Sequence, residues 1–361
     1  MSVPEAPAAS PARKTLMQVD GLSVHFPIQK GLLRRTVGQV RAVDDVSFDI
    51  YEGETLGLVG ESGCGKTTTG RTITRILKPS AGAIRYHGAD GTVADIAGLE
   101  GAGLKRFRRE IRMIFQDPFS SLNPRLPVLE IVGQSLSANG IASGKKREEM
   151  VAELLEEVGL RPEYMRRYPH AFSGGERQRI GIARAIALRP RLIVADEAVS
   201  ALDVSVQAQT LNLMNRLKAR LNLTYLFVAH DLSVVEYICD RVAVMYVGKI
   251  VELAERDRIF RTPRHPYTEA LMSAVPQPDP ALRGKRSRVL LKGEVADPAN
   301  PPPGCYFHPR CRYATERCRT ERPVLRDVGG GHLSACHHAN TLNLAGAFAA
   351  TGAPAEGVVA S

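Results

Sequence analysis

The sequence predicts an α/β fold built on a parallel sheet, with a cysteine-bearing region appended, and three observations predict it. The apolar run Thr55–Val59 passes without a break into the glycine-rich turn of "TLGLVGESGCGKTTTG" and then into a helix. A second run, Leu192–Ala195, ends on the adjacent acids Asp196 and Glu197, and a third, Tyr225–Ala229, ends on His230. Runs this short and continuously apolar suit strands buried on both faces, not strands with one wet face. Chemistry-bearing residues at their C-terminal ends stand where ligands bind in open α/β sheets.

A chain of 361 residues with 44% hydrophobic residues can bury a full core, as two domains or one large domain with an appendage. The net charge of +10 admits nucleic acid, a membrane surface or an anionic ligand without choosing among them. The opening "MSVPEAPAASPARK" has no apolar core of a signal peptide, so residues 1–15 read as a disordered lead. No apolar run reaches membrane-spanning length, and even "TLNLAGAFAATGAPAEGVVAS" is broken by Asn, Thr, Gly and Pro. The expectation is a cytoplasmic chain without disulfides that reaches a membrane only through partners.

The glycine-rich turn fits G-x-x-x-x-G-K-S/T at Gly60, Gly65, Lys66 and Thr67. Its glycines let consecutive N–H groups point into one concavity, the helix start adds positive potential, and Lys66 brings a charge to the outer phosphates. The candidate ATP-binding stretch is therefore Gly60, Glu61, Ser62, Gly63, Cys64, Gly65, Lys66, Thr67 and Thr68, with Cys64 a small filler and the Thr67 hydroxyl offered to magnesium. Asp196 would support the same Mg2+, and Glu197 would polarise the attacking water. Alone, this acid pair would read as two solvated carboxylates at a loop entrance.

In "YPHAFSGGERQRIGIARAI", Ser173, Gly174 and Gly175 precede a helical run, so the serine can cap a helix whose bare N–H groups would accept a further phosphate. This stretch resembles the signature of the ABC ATPase family, in which two subunits pair head to tail and each signature covers the other's ATP. Glu176 stands where that family often has glutamine. The remaining motifs follow the resemblance. Gln116 in "MIFQDPFSSLNPR" would reach metal and water. Asp203 in "SALD" would lie at the dimer interface, its plain alternative being a helix cap. His230 would contact the γ-phosphate, the alternative being a core histidine. Phe26 in "LSVHFP" would stack on adenine, unless it is an ordinary core aromatic.

The resemblance covers residues of roughly 16 to 340 and is closest to the ATP-binding subunits of oligopeptide and dipeptide permeases. "FPIQKGLLRR", "QDPFSSLNPR", "HPYTEALMSAVPQPDP" and "FHPRCRYA" carry that narrower likeness, and Ala198 departs from it where proline is usual. It implies a P-loop NTPase core over 16–264, with a helical signature subdomain at about 117–172, a C-terminal domain over 265–340 and a disordered tail over 341–361. It implies an ATPase that powers peptide import from the cytoplasmic face of the membrane. The implied partners are a second ATPase subunit, commonly a paralogue, two transmembrane permease subunits and an extracytoplasmic peptide-binding protein. The alternative is a soluble ABC ATPase acting on DNA or the ribosome. Residues 117–172 leave no room for a long coiled coil, and "KRFRREIR" lacks interleaved aromatics, so no nucleic-acid partner is expected.

Beyond Pro263, Pro and Gly are dense and large apolar residues sparse, so a staple is expected. Cys305, Cys311, Cys318 and Cys336 contain no pair two to four residues apart, as zinc knuckles usually do. Looser loops can surround a 4Fe-4S cluster, which some peptide permease ATPases similarly carry. Zinc and no metal remain the alternatives. His308, His332, His337 and His338 could substitute as ligands, and Cys239 reads as a core thiol. A cluster there would serve stability, since metal binding and folding are coupled, or, more boldly, redox control.

Overall fold

The computed structural model describes residues 13–31, 35–117, 121–275, 289, 291 and 293–347. The chain opens with strands β1 (Thr15–Lys30), β2 (Arg35–Tyr51) and β3 (Thr55–Val59), helix α1 (Lys66–Ile73), strands β4 (Ala81–His87) and β5 (Val93–Asp95), helix α2 (Gly101–Glu110) and strand β6 (Ile111–Ile114). Helices α3 (Val128–Ala138), α4 (Gly144–Glu157) and α5 (Gly174–Ile186) follow. The sheet resumes with β7 (Leu192–Asp196), α6 (Val204–Leu221), β8 (Thr224–Ala229), α7 (Leu232–Ile238), β9 (Arg241–Tyr246) and β10 (Lys249–Glu255). Last come α8 (Arg256–Arg261), α9 (Pro266–Ser273), α10 (Glu316–Thr320), β11 (Arg326–Asp327) and β12 (Leu333–Ser334).

Two sheets organise these elements. One runs β11-β12-β10-β9-β3-β8-β7-β6, and the other, antiparallel, runs β2-β1-β4-β5. In the larger sheet β9, β3, β8, β7 and β6 are parallel, with β3 between β8 and β9. Every residue of β3, β7, β8 and β9 is buried. Alternate side chains of these strands enter two different cores. Val59, Ile193, Phe227 and Val244 face helical residues such as Val132, Ile182 and Met214. Leu58, Val194, Val228 and Ala243 face Leu16, Val43, Ile50 and Ile73 of the antiparallel sheet and α1. With period two and an apolar layer on both sides, a continuous apolar run is what such a strand requires.

Cys239 is buried at the end of α7, and a Cβ on Gly57 of β3 would lie 2.8 Å from its Sγ, so this thiol is core packing as expected. The boundaries differ from expectation at two places. Residues 13–15, expected in a disordered lead, belong to the fold: the Lys14 carbonyl accepts from the Glu52 N–H and Thr15 opens β1. Residues 341–347, expected in a disordered tail, pack because Leu344 and Ala347 are apolar and buried, with the Ala347 N–H donating to Phe260 O. The region 265–340, expected as a C-terminal domain, is tied into the main sheet, where β12 pairs with β10 (Leu253 opposite Leu333). Residues 118–120 of "QDPFSSLNPR", residues 276–280 of "HPYTEALMSAVPQPDP" and residues 32–34 of "FPIQKGLLRR" lie outside the described residues. Among the described residues no helix is long and apolar enough to cross a membrane.

Candidate functional site

The glycine-rich turn leaves the C-terminal end of β3, and its shape demands glycine. Gly60 has φ +152 and Gly65 φ +107, and a Cβ at either would lie 2.1 Å from a carbonyl oxygen, of Met245 and Ala42 respectively. Gly65 then begins α1 with no side-chain cap, leaving the first N–H groups of the helix facing outward. The Lys66 ammonium folds back over the turn, donating to the carbonyls of Gly60 at 2.8 Å and Glu61 at 2.9 Å. The turn, the helix start and Ala42 wall one side of a cleft of about 450 Å3. Gln116, Glu197 and His230 form the other side, and Ser62, Gly63, Gly65, Lys66, Thr67 and Thr68 all line it.

Two carboxylates share the end of β7 but face different neighbours. Asp196 is buried, and its Oδ1 accepts from the Thr67 hydroxyl at 2.9 Å, while Oδ2 has no protein partner. Burial raises its pKa, opposed by the Thr67 hydrogen bond and the Arg71 charge. A buried oxygen with no partner beside a threonine hydroxyl is a fitting donor set for a hard divalent cation such as Mg2+. Glu197 turns into the cleft from a backbone with φ +46, a sparsely populated conformation for a non-glycine residue. Its Oε2 accepts from Gln116 Nε2 at 2.8 Å and lies 3.2 Å from His230 Nδ1. A carboxylate so oriented, with a histidine and an amide on the same oxygen, can order a water and take its proton.

Other expected residues stand outside the cleft. Ser173 caps α5, accepting from Glu176 N–H, while the Glu176 carboxylate accepts from Ser173 N–H at 2.9 Å. Glu176, the departure from glutamine, thus completes a capping box. Gly174 and Gly175 open the same helix, and a Cβ on Gly175 would lie 2.4 Å from Val206 Cγ1. Asp203 caps α6, accepting from Val206 N–H at 3.0 Å and Ser205 Oγ at 2.7 Å, hydrogen bonds that hold its pKa low. Phe26 is 41% exposed on β1, opposite Val40 and two residues short of the cleft's Ala42. Cys64 is buried behind the turn and its thiol is pushed up by burial, consistent with filler. The Glu61 carboxylate faces away from the cleft toward Arg310.

The four cysteines at 305, 311, 318 and 336 are free and line one enclosed pocket. Burial foremost pushes Cys305 up to about 11 and Cys311 and Cys336 up to about 12, with the neighbouring thiols adding to the effect. Among the described residues no group of three or more His, Cys, Asp or Glu side chains is arranged to hold a metal ion. Of the candidate substitute ligands, His332 pairs with buried Glu252 at 2.6 Å, His338 with Thr315 and His337 with the Glu321 carbonyl. His308 lines the pocket, its Nδ1 2.9 Å from Cys305 O.

Two family profiles match: "ABC transporter" over residues 43–200 and "Oligopeptide/dipeptide transporter, C-terminal region" over 251–318. The oligopeptide transport ATP-binding protein AppF of Bacillus subtilis is 50% identical over 326 residues, 90% of this chain and 98% of that one. The protein named "Probable peptide ABC transporter ATP-binding protein y4tS", of Sinorhizobium fredii, is 52% identical over 322 residues, 89% of each. The chain belongs to the ATP-binding subunits of ABC peptide transporters. Its cassette is similar to the dimeric ATP-binding cassette MJ0796 solved with ADP and Pi, at TM-score 0.58 and 26% identity over 67% of this chain and 99% of that one. It is an ABC ATPase, and ATP hydrolysis is its reaction. Sequence reasoning had no signal for Arg310 and Tyr267, which bond Glu61 of the phosphate loop from the C-terminal region; "FHPRCRYA" contains the first of them but not its partner.

Proposed function

We propose that this ABC ATPase powers import of oligopeptides or dipeptides across the cytoplasmic membrane, bound at its cytoplasmic face to two transmembrane permease subunits. An extracytoplasmic peptide-binding protein would deliver the peptide, and a second ATPase subunit, identical or a paralogue, would complete the pair. The names of the relatives support this reading over an ATPase acting on DNA or the ribosome.

The observation that carries the chemistry is the convergence of Gln116 and His230 on one oxygen of Glu197, across the cleft from Lys66. Backbone N–H groups from Gly60 to Thr68 cradle the phosphates of ATP and Lys66 neutralises the outer ones. Thr67, Asp196 and Gln116 hold Mg2+, which supplies charge neutralisation at the phosphates when bound. Glu197 orients the attacking water and accepts its proton, and His230 fixes the carboxylate and meets the γ-phosphate. Phe26 packs on adenine. Ser173, Gly174 and Gly175 belong to the other nucleotide of the dimer: the helix start they form is exposed and lies apart from this chain's own cleft, so it needs a second cassette to reach a phosphate. Asp203, at the start of α6 beside Gly175, would lie on the same interface. Only the γ-phosphate's preference for the closed pair can drive the permease, since a ligand shifts an equilibrium by its differential affinity alone. In the assembled transporter, Glu197→Gln is expected to retain ATP binding and lose about a hundredfold or more of hydrolysis; undiminished turnover would remove Glu197 as the base.

For the C-terminal pocket we infer a 4Fe-4S cluster held by Cys305, Cys311, Cys318 and Cys336. The donor chemistry fits, as four free thiols line one pocket and their thiolates could surround a cationic cluster. Iron and sulfide determination on anaerobically purified protein, together with thermal melting before and after chelation, tests this; zinc in place of iron, or neither, overturns it.

A further inference from the structure

Glu61, the second residue of the phosphate loop, is held by all of its polar groups. Its N–H donates to the Tyr267 hydroxyl at 2.8 Å, its carbonyl accepts from Lys66 at 2.9 Å, and its carboxylate receives both guanidinium nitrogens of Arg310, at 2.7 and 3.0 Å. The Arg310 side chain is only 7% exposed. Two of these three anchors come from α9 and the cysteine segment, more than two hundred residues away along the chain.

The cysteine segment in turn fixes where Arg310 stands. Arg310 ends the short turn His308–Arg310 between Cys305 and Cys311, with the Arg310 N–H bonded to Phe307 O and the Cys311 N–H to His308 O. Phe307 packs against both Tyr246 and Tyr267, at ring separations of 5.3 and 5.4 Å, the two tyrosine rings themselves meeting at 4.7 Å, and the Arg310 guanidinium lies 5.9 Å from the Tyr246 ring centre. Tyr246 closes β9 immediately after Met245, whose carbonyl abuts Gly60. The phosphate loop thus has a second wall, and the cysteine segment builds it.

We propose that Arg310 is a positioning residue for nucleotide binding: through Glu61 it holds the phosphate loop in its anion-accepting shape, so ATP affinity depends on the cysteine segment being folded. A buried bidentate pair both orders and orients its partner, and removing one side leaves the other charge unpaired. The test measures the ATP dissociation constant and the KM and kcat of hydrolysis on the full chain in its assembled transporter. Arg310→Ala is expected to raise the dissociation constant and KM about tenfold, equivalent to about 1.4 kcal/mol, with kcat within about twofold. Arg310→Lys, which keeps the charge and loses the fork, should fall between. In a Glu61→Gln background, Arg310→Ala should cost little further, because the two act through one contact. Cys311→Ser, which loosens the turn, should shift the dissociation constant in the same direction. Wild-type affinity in Arg310→Ala overturns the proposal, as does an undiminished loss in the Glu61→Gln background, which would mark a general structural role. Should Arg310→Ala fail to fold, wild-type affinity in Arg310→Lys overturns it. The Arg310 and Glu61 readouts leave every thiol in place and are independent of which metal, if any, the thiols hold, whereas Cys311→Ser also removes a proposed cluster ligand.

Discussion

The phosphate loop and the thiol pocket are both cradles made by loops, yet they are built on opposite principles. The loop is shaped by backbone: glycines at positive φ press against the Met245 and Ala42 carbonyls, at the end of a strand buried on both faces. Side chains there serve the ligand. The pocket is shaped by side chains: four thiols, aromatic packing at Phe307, short turns, the start of α9 and the five-residue α10 that carries Cys318. A backbone cradle keeps its form because its strand belongs to the core. A side-chain cradle depends on each contact, and it can lean on its neighbour only through contacts such as Arg310 with Glu61.

A glycine in each region sharpens that contrast. Gly65→Ala sets a Cβ 2.1 Å from Ala42 O at φ +107, so nucleotide binding should be lost altogether, as measured by ATP titration, and the fold should also lose roughly 1–3 kcal/mol or more. Gly304→Ala, at φ +65, sets a Cβ 2.4 Å from Cys318 O and should cost roughly 1–3 kcal/mol. Its ATP affinity should fall no further than that of Arg310→Ala. Calorimetry should show Gly65→Ala destabilised at least as much as Gly304→Ala, and titration on the two variants would break the contrast if Gly304→Ala abolished binding or Gly65→Ala left it intact.

What the sequence made legible follows the same division. Thr55–Val59, Leu192–Ala195 and Tyr225–Ala229 were readable as strands because burial on both faces writes itself as a continuous apolar run. Gly60, Lys66 and Thr67 stand in one motif whose local spacing sets their geometry, whereas Asp196 meets Thr67 from far along the chain. Ser173 and Glu176 form a capping box three residues apart, again a local pattern, although their departure from the usual glutamine carried no hint of it. Glu61 was placed among ligand-binding residues, but its carboxylate belongs to Arg310, and no local pattern links partners so distant. The tie between the region 265–340 and the main sheet was hidden for a related reason: sparse apolar residues suggested an appendage, but β12 adds to that sheet through backbone pairing, which composition does not encode.

His265 offers the smallest and most specific test of how the C-terminal region is held. It is buried at the start of α9, its Nδ1 accepts from Tyr267 N–H at 3.1 Å, and burial pushes its pKa down to about 3. The ordinary value in an unfolded chain is about 6.5. Below that pH the unfolded chain gains a proton that the folded chain refuses. The contribution is therefore fully present above pH 6.5 and is lost as pH falls toward 3. Between pH 7.5 and 5.5 the loss should be about 1.4 kcal/mol. His265→Asn keeps an N-cap acceptor and removes the titration. Urea unfolding of both chains at the two pH values should show the wild type losing that much more than the variant. Equal losses would mean that this imidazole stays accessible to protons in the folded chain, and that α9, which also carries Tyr267 to the phosphate loop, is less firmly seated than its burial implies.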